Sequence, residues 1–339
     1  MEHDSIEKEN KTYNPCRDEK NVAVQNALLE IGHYLKGIHY QFTTITPESH
    51  RIVLARKSNH NEKGSNSTDQ ILKDFFGWNL PVLKENIPLS LLSLISKAKV
   101  AIEMGLYLQS KIRFSTVDDN LFLHSSYPTS ESDAVFFGPD TYRFIRFLKN
   151  KINAAKIIVD LGCGPGTGGI VLTNLLNQNI QNQVKKLYLG DINPTALNYA
   201  LINTALNQLD HVEVILSHLL DDIPKGADLI VANPPFIIDP NQRSYRHGGA
   251  QYGSQLSVHM VQSALTYLEP GGVLALYTGT CIVQGKDIFF QQIKSLLDKD
   301  VTHYEYEEID CDIFGEELTQ PDYRNVERIA AVGLLAKKK

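Results

Sequence analysis

The sequence predicts an α/β protein: a doubly wound, mostly parallel sheet preceded by a mainly helical N-terminal region. Three observations carry the prediction. From residue 156 onward, short apolar β-branched runs alternate with helix-length segments, the pattern of βαβ units. The first of those runs passes through a glycine-rich turn into a helix, over residues 156–169 (KIIVDLGCGPGTGG). Upstream of residue 130 the apolar spacing is helical except at one strand pair.

In chain order, residues 1–20 are polar with few apolar anchors, so a disordered tail is expected. Residues 22–35 place Val24, Leu28, Ile31 and Leu35 on one helical face, and Gly37 is positioned to end that helix. Residues 59–67 (NHNEKGSNS) have the composition of a mobile loop. Short helices are expected over 71–76, 88–96 and 98–108, with Pro88 suited to a first helical turn. Residues 112–115 and 121–124 flank Val117-Asp118-Asp119-Asn120, a hairpin turn. Residues 21–130 thus read as a helical domain closed by a β-hairpin, with Trp78 in its core.

Residues 130–140 form a connector, and Asp140 is placed to cap a helix over 141–148. Strands follow at 157–160, 186–191, 212–216, 229–232, 273–278, 304–309 and 329–335. Helices separate the first six, at 167–176, 194–207, near Leu219, 254–268 and 286–297. No helix lies between the last two strands, so they are expected to pair antiparallel. A sheet of this kind holds its ligands at the carboxyl ends of its strands.

Composition narrows the class. The 339 residues are 42% hydrophobic and 21% charged, ordinary for a soluble globular protein. No apolar run reaches the roughly 18 residues of a membrane span, and the first residues lack a signal-peptide core. Cys16, Cys163, Cys281 and Cys311 are far apart, which argues against a zinc site or a disulfide framework and for a cytoplasmic-type compartment. The net charge of -6 excludes a protein that coats nucleic acid by bulk electrostatics. Residues 21–150 carry 14 Lys/Arg against 12 Asp/Glu, and residues 151–339 carry 15 against 21, so a nucleic-acid substrate stays open.

The glycine turn admits two cofactors. Gly164-x-Gly166-x-x-Gly169, with Asp191 some twenty residues on, satisfies the dinucleotide fingerprint by spacing. S-adenosylmethionine is favoured by Asp160 at the tip of the first strand, where a carboxylate suits an ammonium group and repels a pyrophosphate. Asp191 closes the second strand, where it can accept both ribose hydroxyls. The fourth strand runs into Asn233-Pro234-Pro235-Phe236, which hydride transfer does not require.

DLGCGPGTGG, GDINPTALNYA and DLIVANPPF together resemble the class I S-adenosylmethionine-dependent methyltransferases. More narrowly, they are similar to the methyltransferase small group, which includes release-factor glutamine and rRNA or tRNA base N-methyltransferases. The resemblance covers about residues 135–336. It implies a Rossmann-like, seven-stranded sheet with an antiparallel last strand, a catalytic domain over 131–339 and a substrate-recognition domain over 21–130. It also implies a cofactor site of Asp160, Gly162, Cys163, Gly164, Gly166, Asp191, Ile192, Asn193 and Asn233. Phe137 and Thr141, in the segment 136–141 (FFGPDT), are expected to close over it. Related enzymes often carry an acid after the third strand, where this chain has Ser217-His218.

The motif at 233–236 suits methylation of a delocalised NH2 group. The Asn233 side-chain carbonyl and the Pro234 backbone carbonyl can each take one hydrogen, turning the nitrogen lone pair toward the methyl. Pro234 and Pro235 stiffen the cradle and remove competing N–H donors. Phe236 offers a face to a planar group. The acceptor expected is a glutamine amide of a protein, such as a translation factor, or an amine of an rRNA or tRNA base. An NAD-dependent oxidoreductase and a non-catalytic cofactor-binding module are the alternatives. Arg243, Tyr245, Arg246 and His247, in the polar loop 239–253, are candidate substrate contacts. The acidic residues between 305 and 317 read as a solvated face rather than a metal site.

Overall fold

The computed structural model describes residues 13, 19–59, 67–129 and 131–339. The tail expected over residues 1–20 lies outside them apart from Tyr13, Glu19 and Lys20, and so does the loop 59–67 apart from its ends. The N-terminal region is richer in strand than its sequence suggests. Helix α1 (Glu19–Gly37) buries Leu28, Ile31 and Leu35 and ends at Gly37. Helix α2 (Pro47–Asn59) was not expected. Helix α3 (Thr68–Leu72), capped by the Ser67 hydroxyl, runs into a π turn over Lys73–Gly77. Strand β1 (Val82–Leu83) precedes α4 (Leu89–Ala98), where Pro88 is the N-cap rather than part of the first turn.

The helix expected over 98–108 does not form. Lys99 turns left-handed at φ +57° and ends α4, and the chain continues as a hairpin of β2 (Ala101–Met104) and β3 (Tyr107–Ser110). Gly105, at φ +62°, makes the turn. The next hairpin, β4 (Ile112–Val117) with β5 (Asn120–Ser125), turns at the expected place.

Helix α5 (Pro139–Lys151) begins with Gly138 as its cap and Pro139 in its first turn. Asp140 therefore falls inside the helix, and its side chain turns inward instead of capping. Then follow β6 (Ile157–Leu161), α6 (Thr167–Asn177), β7 (Lys186–Asp191), α7 (Pro194–Leu206), β8 (Val212–Leu216) and β9 (Leu229–Ala232). The piece near Leu219 is a turn, with Leu219 at φ +50°, not a helix. Helix α8 (Gln255–Tyr267), β10 (Val273–Val283), β11 (Lys286–Asp287), α9 (Ile288–Asp300), β12 (Val301–Asp310) and β13 (Arg328–Lys338) complete the chain.

The large sheet has the order β12-β13-β10-β9-β6-β7-β8, with the two-residue β11 against the end of β10. Neighbours from β10 to β8 are parallel, and β13 lies antiparallel between β10 and β12. Strands β6, β9 and β10 are buried almost throughout, which is why they read as continuous apolar runs. Among the described residues no helix is long and apolar enough to cross a membrane.

Candidate active site

The chain steps outward from β6 to β8 on one side and from β9 to β10 on the other. Such a reversal leaves a crevice at the carboxyl ends of the strands. A cavity of about 430 Å³ lies there.

Its first wall is the turn after β6. The Gly162 and Cys163 amides both donate to the Gly190 carbonyl, at 2.9 and 3.0 Å, tying the turn to β7. Gly164 N donates to Asp191 Oδ2 at 2.8 Å, and Asn193 N to Asp191 Oδ1 at 2.9 Å. Gly164 and Gly166 hold φ of +53° and +80°, which a side chain would disfavour by about 1–2 kcal/mol. Asp160 lies below the turn, 2% exposed, with Oδ2 accepting from Gly169 N at 2.7 Å. That amide belongs to the first turn of α6, so a carboxylate already occupies the helix start that a pyrophosphate would need.

Burial raises Asp160 to about 7; the Gly169 amide opposes the rise and the Asp191 charge adds to it. Asp191 is raised by burial as well. Neither carboxylate meets a lysine or arginine among the described residues, and the buried Thr167 hydroxyl in the same wall has no partner. Two uncompensated carboxylates and an orphan hydroxyl fit a ligand that brings an ammonium group and ribose hydroxyls.

Ile192, 61% exposed, and Leu219 line the far end with Ser217 and His218. His218 stays mostly solvated, within 3.4 Å of Asp221. The Asn193 side chain caps α7 by accepting from Thr195 N and donates to the Asp133 carbonyl at 2.8 Å, so its amide is satisfied by the protein. Thr141 lines the cavity and accepts from Gly138 N. Phe137 does not line it: the ring stacks on buried His124 at 4.7 Å, and Phe136 takes the lining position. Gly166 caps α6 behind the wall.

The second wall follows β9 directly: Asn233, Pro234, Pro235 and Phe236 all line the cavity. Among the described residues no donor reaches Asn233 Oδ1 or the Pro234 carbonyl. Phe236 is 7% exposed and seated against Gly279 of β10, where a Cβ would lie 2.2 Å from the ring. The loop after the motif folds back onto it. Ile237 N donates to the Arg246 carbonyl and Gly248 N to the Ile237 carbonyl. A Cβ on Gly248 would stand 2.7 Å from the Pro235 carbonyl oxygen, and one on Gly253 would stand 2.3 Å from that of Phe236. These glycines brace the motif from behind.

The loop's arginines are paired with carboxylates of the protein. Arg243 donates twice to Asp239, at 2.9 and 2.6 Å, and does not line the cavity. This holds the Asp239 carboxyl below its usual range. Arg246 lines the cavity but pairs with Glu317. Tyr245 lines it with its hydroxyl bonded to the Thr129 carbonyl at 2.8 Å. His247 Nδ1 accepts from Asp239 N at 3.1 Å, which leaves the proton on Nε2.

Glu317 corrects the expectation of a solvated acidic face. It is 3% exposed and raised by burial, whereas Glu305 and Glu307 do pair at the surface with Lys151. The segment 311–327 forms a third wall that the sequence did not reveal. Phe314 lines the cavity edge-on to Phe236, with ring centres 5.6 Å apart, and the Tyr323 hydroxyl accepts from Ile238 N at 2.7 Å. Asp140, also unforeseen, lines the cavity with its carboxylate bonded to the Tyr277 hydroxyl at 2.6 Å. No local signal marked Phe314. Gly248 and Gly253 belong to the polar loop expected to face substrate, and they pack against the motif backbone instead.

The methyltransferase small domain family matches residues 139–282. The chain is 32% identical over 119 residues to ribosomal RNA small subunit methyltransferase C of Serratia proteamaculans (strain 568), covering 35% of this chain and 29% of that protein. It is 34% identical over 102 residues to ribosomal protein L11 methyltransferase of Clostridium botulinum (strain Eklund 17B / Type B), covering 29% and 30%. The match thus spans about three tenths of those relatives. A crystal structure of M. jannaschii TYW2 in complex with AdoMet superposes with a TM-score of 0.45 at 18% identity, covering 70% of this chain and 89% of that one. The family match thus covers residues 139–282, a span that holds Asp160, Asp191 and the motif at 233–236.

Proposed function

We propose that the chain transfers the methyl group of S-adenosylmethionine to a planar NH2 group in the translation apparatus, on an rRNA or tRNA base or on a protein amide. The observation that carries this reading is the pair of unpartnered acceptors, Asn233 Oδ1 and the Pro234 carbonyl, in one cavity with Asp160 and Asp191. Asp160 and Thr167 are assigned to the cofactor's ammonium end, Asp191 to its ribose hydroxyls, and Ile192 and Leu219 to its adenine. The bound cofactor supplies an electrophilic methyl on a sulfonium.

Asn233 and Pro234 each accept one hydrogen of the NH2, holding the lone pair in line with that methyl. Phe236 and Phe314 bound the plane of the acceptor. No general base is required at this cradle, since the nitrogen loses a proton to solvent after it has become cationic. The region 21–130 is assigned to substrate recognition. Its lysines and arginines barely exceed its acids, so contact by shape is expected rather than a long-range field.

The test is transfer of labelled methyl to tRNA and ribosomal subunits that lack this modification, followed by nuclease or protease. Release by nuclease assigns RNA and release by protease assigns protein. Absence of transfer, together with absence of S-adenosylmethionine binding by calorimetry, rejects the reading.

A further inference from the structure

Asn203 of helix α7 and Asn207, its C-cap, stand one turn apart, and both reach the free edge of β5. Asn203, fully buried, accepts from Leu123 N at 2.7 Å and donates to the Leu123 carbonyl at 3.0 Å. Asn207 repeats the pattern at Leu121, at 3.1 and 2.9 Å. The spacing matches because four helical residues rise about 6 Å and two strand residues about 6.6 Å. The helix thus offers β5 a ladder of side-chain amides in place of a neighbouring strand.

The two asparagines differ in their remaining hydrogen. The second Nδ2 hydrogen of Asn207 goes to the Asn203 carbonyl of its own helix, at 2.8 Å. The corresponding one of Asn203 goes to the Pro165 carbonyl, at 2.9 Å. Pro165 lines the cofactor cavity between Gly164 and Gly166, both in the left-handed region. Other anchors of that turn are the bonds of Gly162 and Cys163 to Gly190, of Gly164 to Asp191 and of Gly166 to Cys163. At Pro165 the turn is held by one side chain, and that side chain is also bonded to the N-terminal hairpin.

We propose that Asn203 is a positioning residue for the cofactor, fixing the Pro165 carbonyl and thereby coupling the glycine turn to the β4–β5 hairpin of the substrate-recognition region. The inference rests on the reading of the cavity as a cofactor site. Binding at either end orders the shared amide, so each ligand raises the affinity of the other.

Asn207 supplies the control, since Asn207→Ala removes the same kind of hairpin bonds without touching the turn. In the full chain, Asn203→Ala is expected to weaken S-adenosylhomocysteine binding about tenfold by calorimetry, the scale of a buried carbonyl left unpaired. Asn207→Ala is expected to stay within twofold of the parent. Equal affinities in all three proteins, or equal losses in both variants, overturn the proposal.

Hydrogen exchange of the unmutated chain tests it without relying on a buried substitution. Saturating S-adenosylhomocysteine should slow exchange in peptides covering residues 120–125, none of which lines the cavity. Unchanged exchange there, with binding intact, overturns the coupling alone. Failure of the parent to bind S-adenosylhomocysteine overturns the cofactor site and the coupling with it.

Discussion

The two ends of the cavity are built in opposite ways. At the proposed cofactor end, backbone amides of the glycine turn and the adjoining helix starts meet two strand-tip carboxylates, one buried and one half-buried, all within residues 160–193. At the acceptor end, four residues after β9 are braced by glycines of the following loop and faced by Phe314 from residues 311–327. The first is a local construction, the second a convergence of distant segments. A local site can be set by short-range geometry, while an assembled one depends on every strap that holds it.

Four measurements would break or sharpen this contrast. Asn233→Ala should lower methyl transfer by about a thousandfold or more, since it removes an acceptor that acts on the reacting nitrogen. Cofactor affinity should stay within a few fold. Full activity would mean that the acceptor cradle lies elsewhere.

Asp191→Ala should cost about 2–3 kcal/mol of cofactor binding, or 30- to 150-fold, the scale of removing a hydrogen-bonded charge. Wild-type affinity in calorimetry would take Asp191 out of the site.

Gly248→Ala separates the ends more finely. The added methyl meets the motif backbone, so kcat is expected to fall about tenfold or more with cofactor affinity retained. Loss of cofactor binding instead would show the two ends to be one unit.

The smallest expected effect is that of pH. An ammonium ligand favours the charged form of Asp160, whose carboxyl burial pushes up to about 7. S-adenosylhomocysteine binding should therefore tighten about tenfold between pH 5.5 and 7 and then level off. Folding responds with the opposite sign. A carboxyl raised from 3.8 to about 7 stabilises the folded chain below the lower value, and this contribution is lost as pH rises through the upper one. A flat binding profile would remove the ammonium from Asp160.

What the sequence made legible follows the same division. The alternation of strand and helix, and the carboxylates at the tips of β6 and β7, could be read because each is encoded in contiguous residues. Asp140 was misread as a cap, since position relative to Pro139 does not reveal that its carboxylate faces Tyr277 across the chain. Arg243 and Arg246 were expected at a substrate. Their partners, Asp239 and Glu317, make them internal braces, and that pairing spans 71 residues in the second case. The hairpin at 101–110 was missed because Ala98, Ala101 and Ile102 fall at helical spacing beside the alternating Ile102, Met104 and Leu106, and Lys99 and Gly105 decide the matter.

The asparagine ladder on β5 has a consequence for the protein in solution. A two-stranded sheet leaves open edges, and an open edge is a template on which a second chain can add. With Leu121 and Leu123 already bonded to Asn203 and Asn207, that edge offers an incoming strand no free groups at those positions. Side chains of α7 and its C-cap thus occupy positions at which a second chain could otherwise add to β5. Asn207→Ala, which leaves the glycine turn untouched, should show as faster aggregation on storage with cofactor affinity retained.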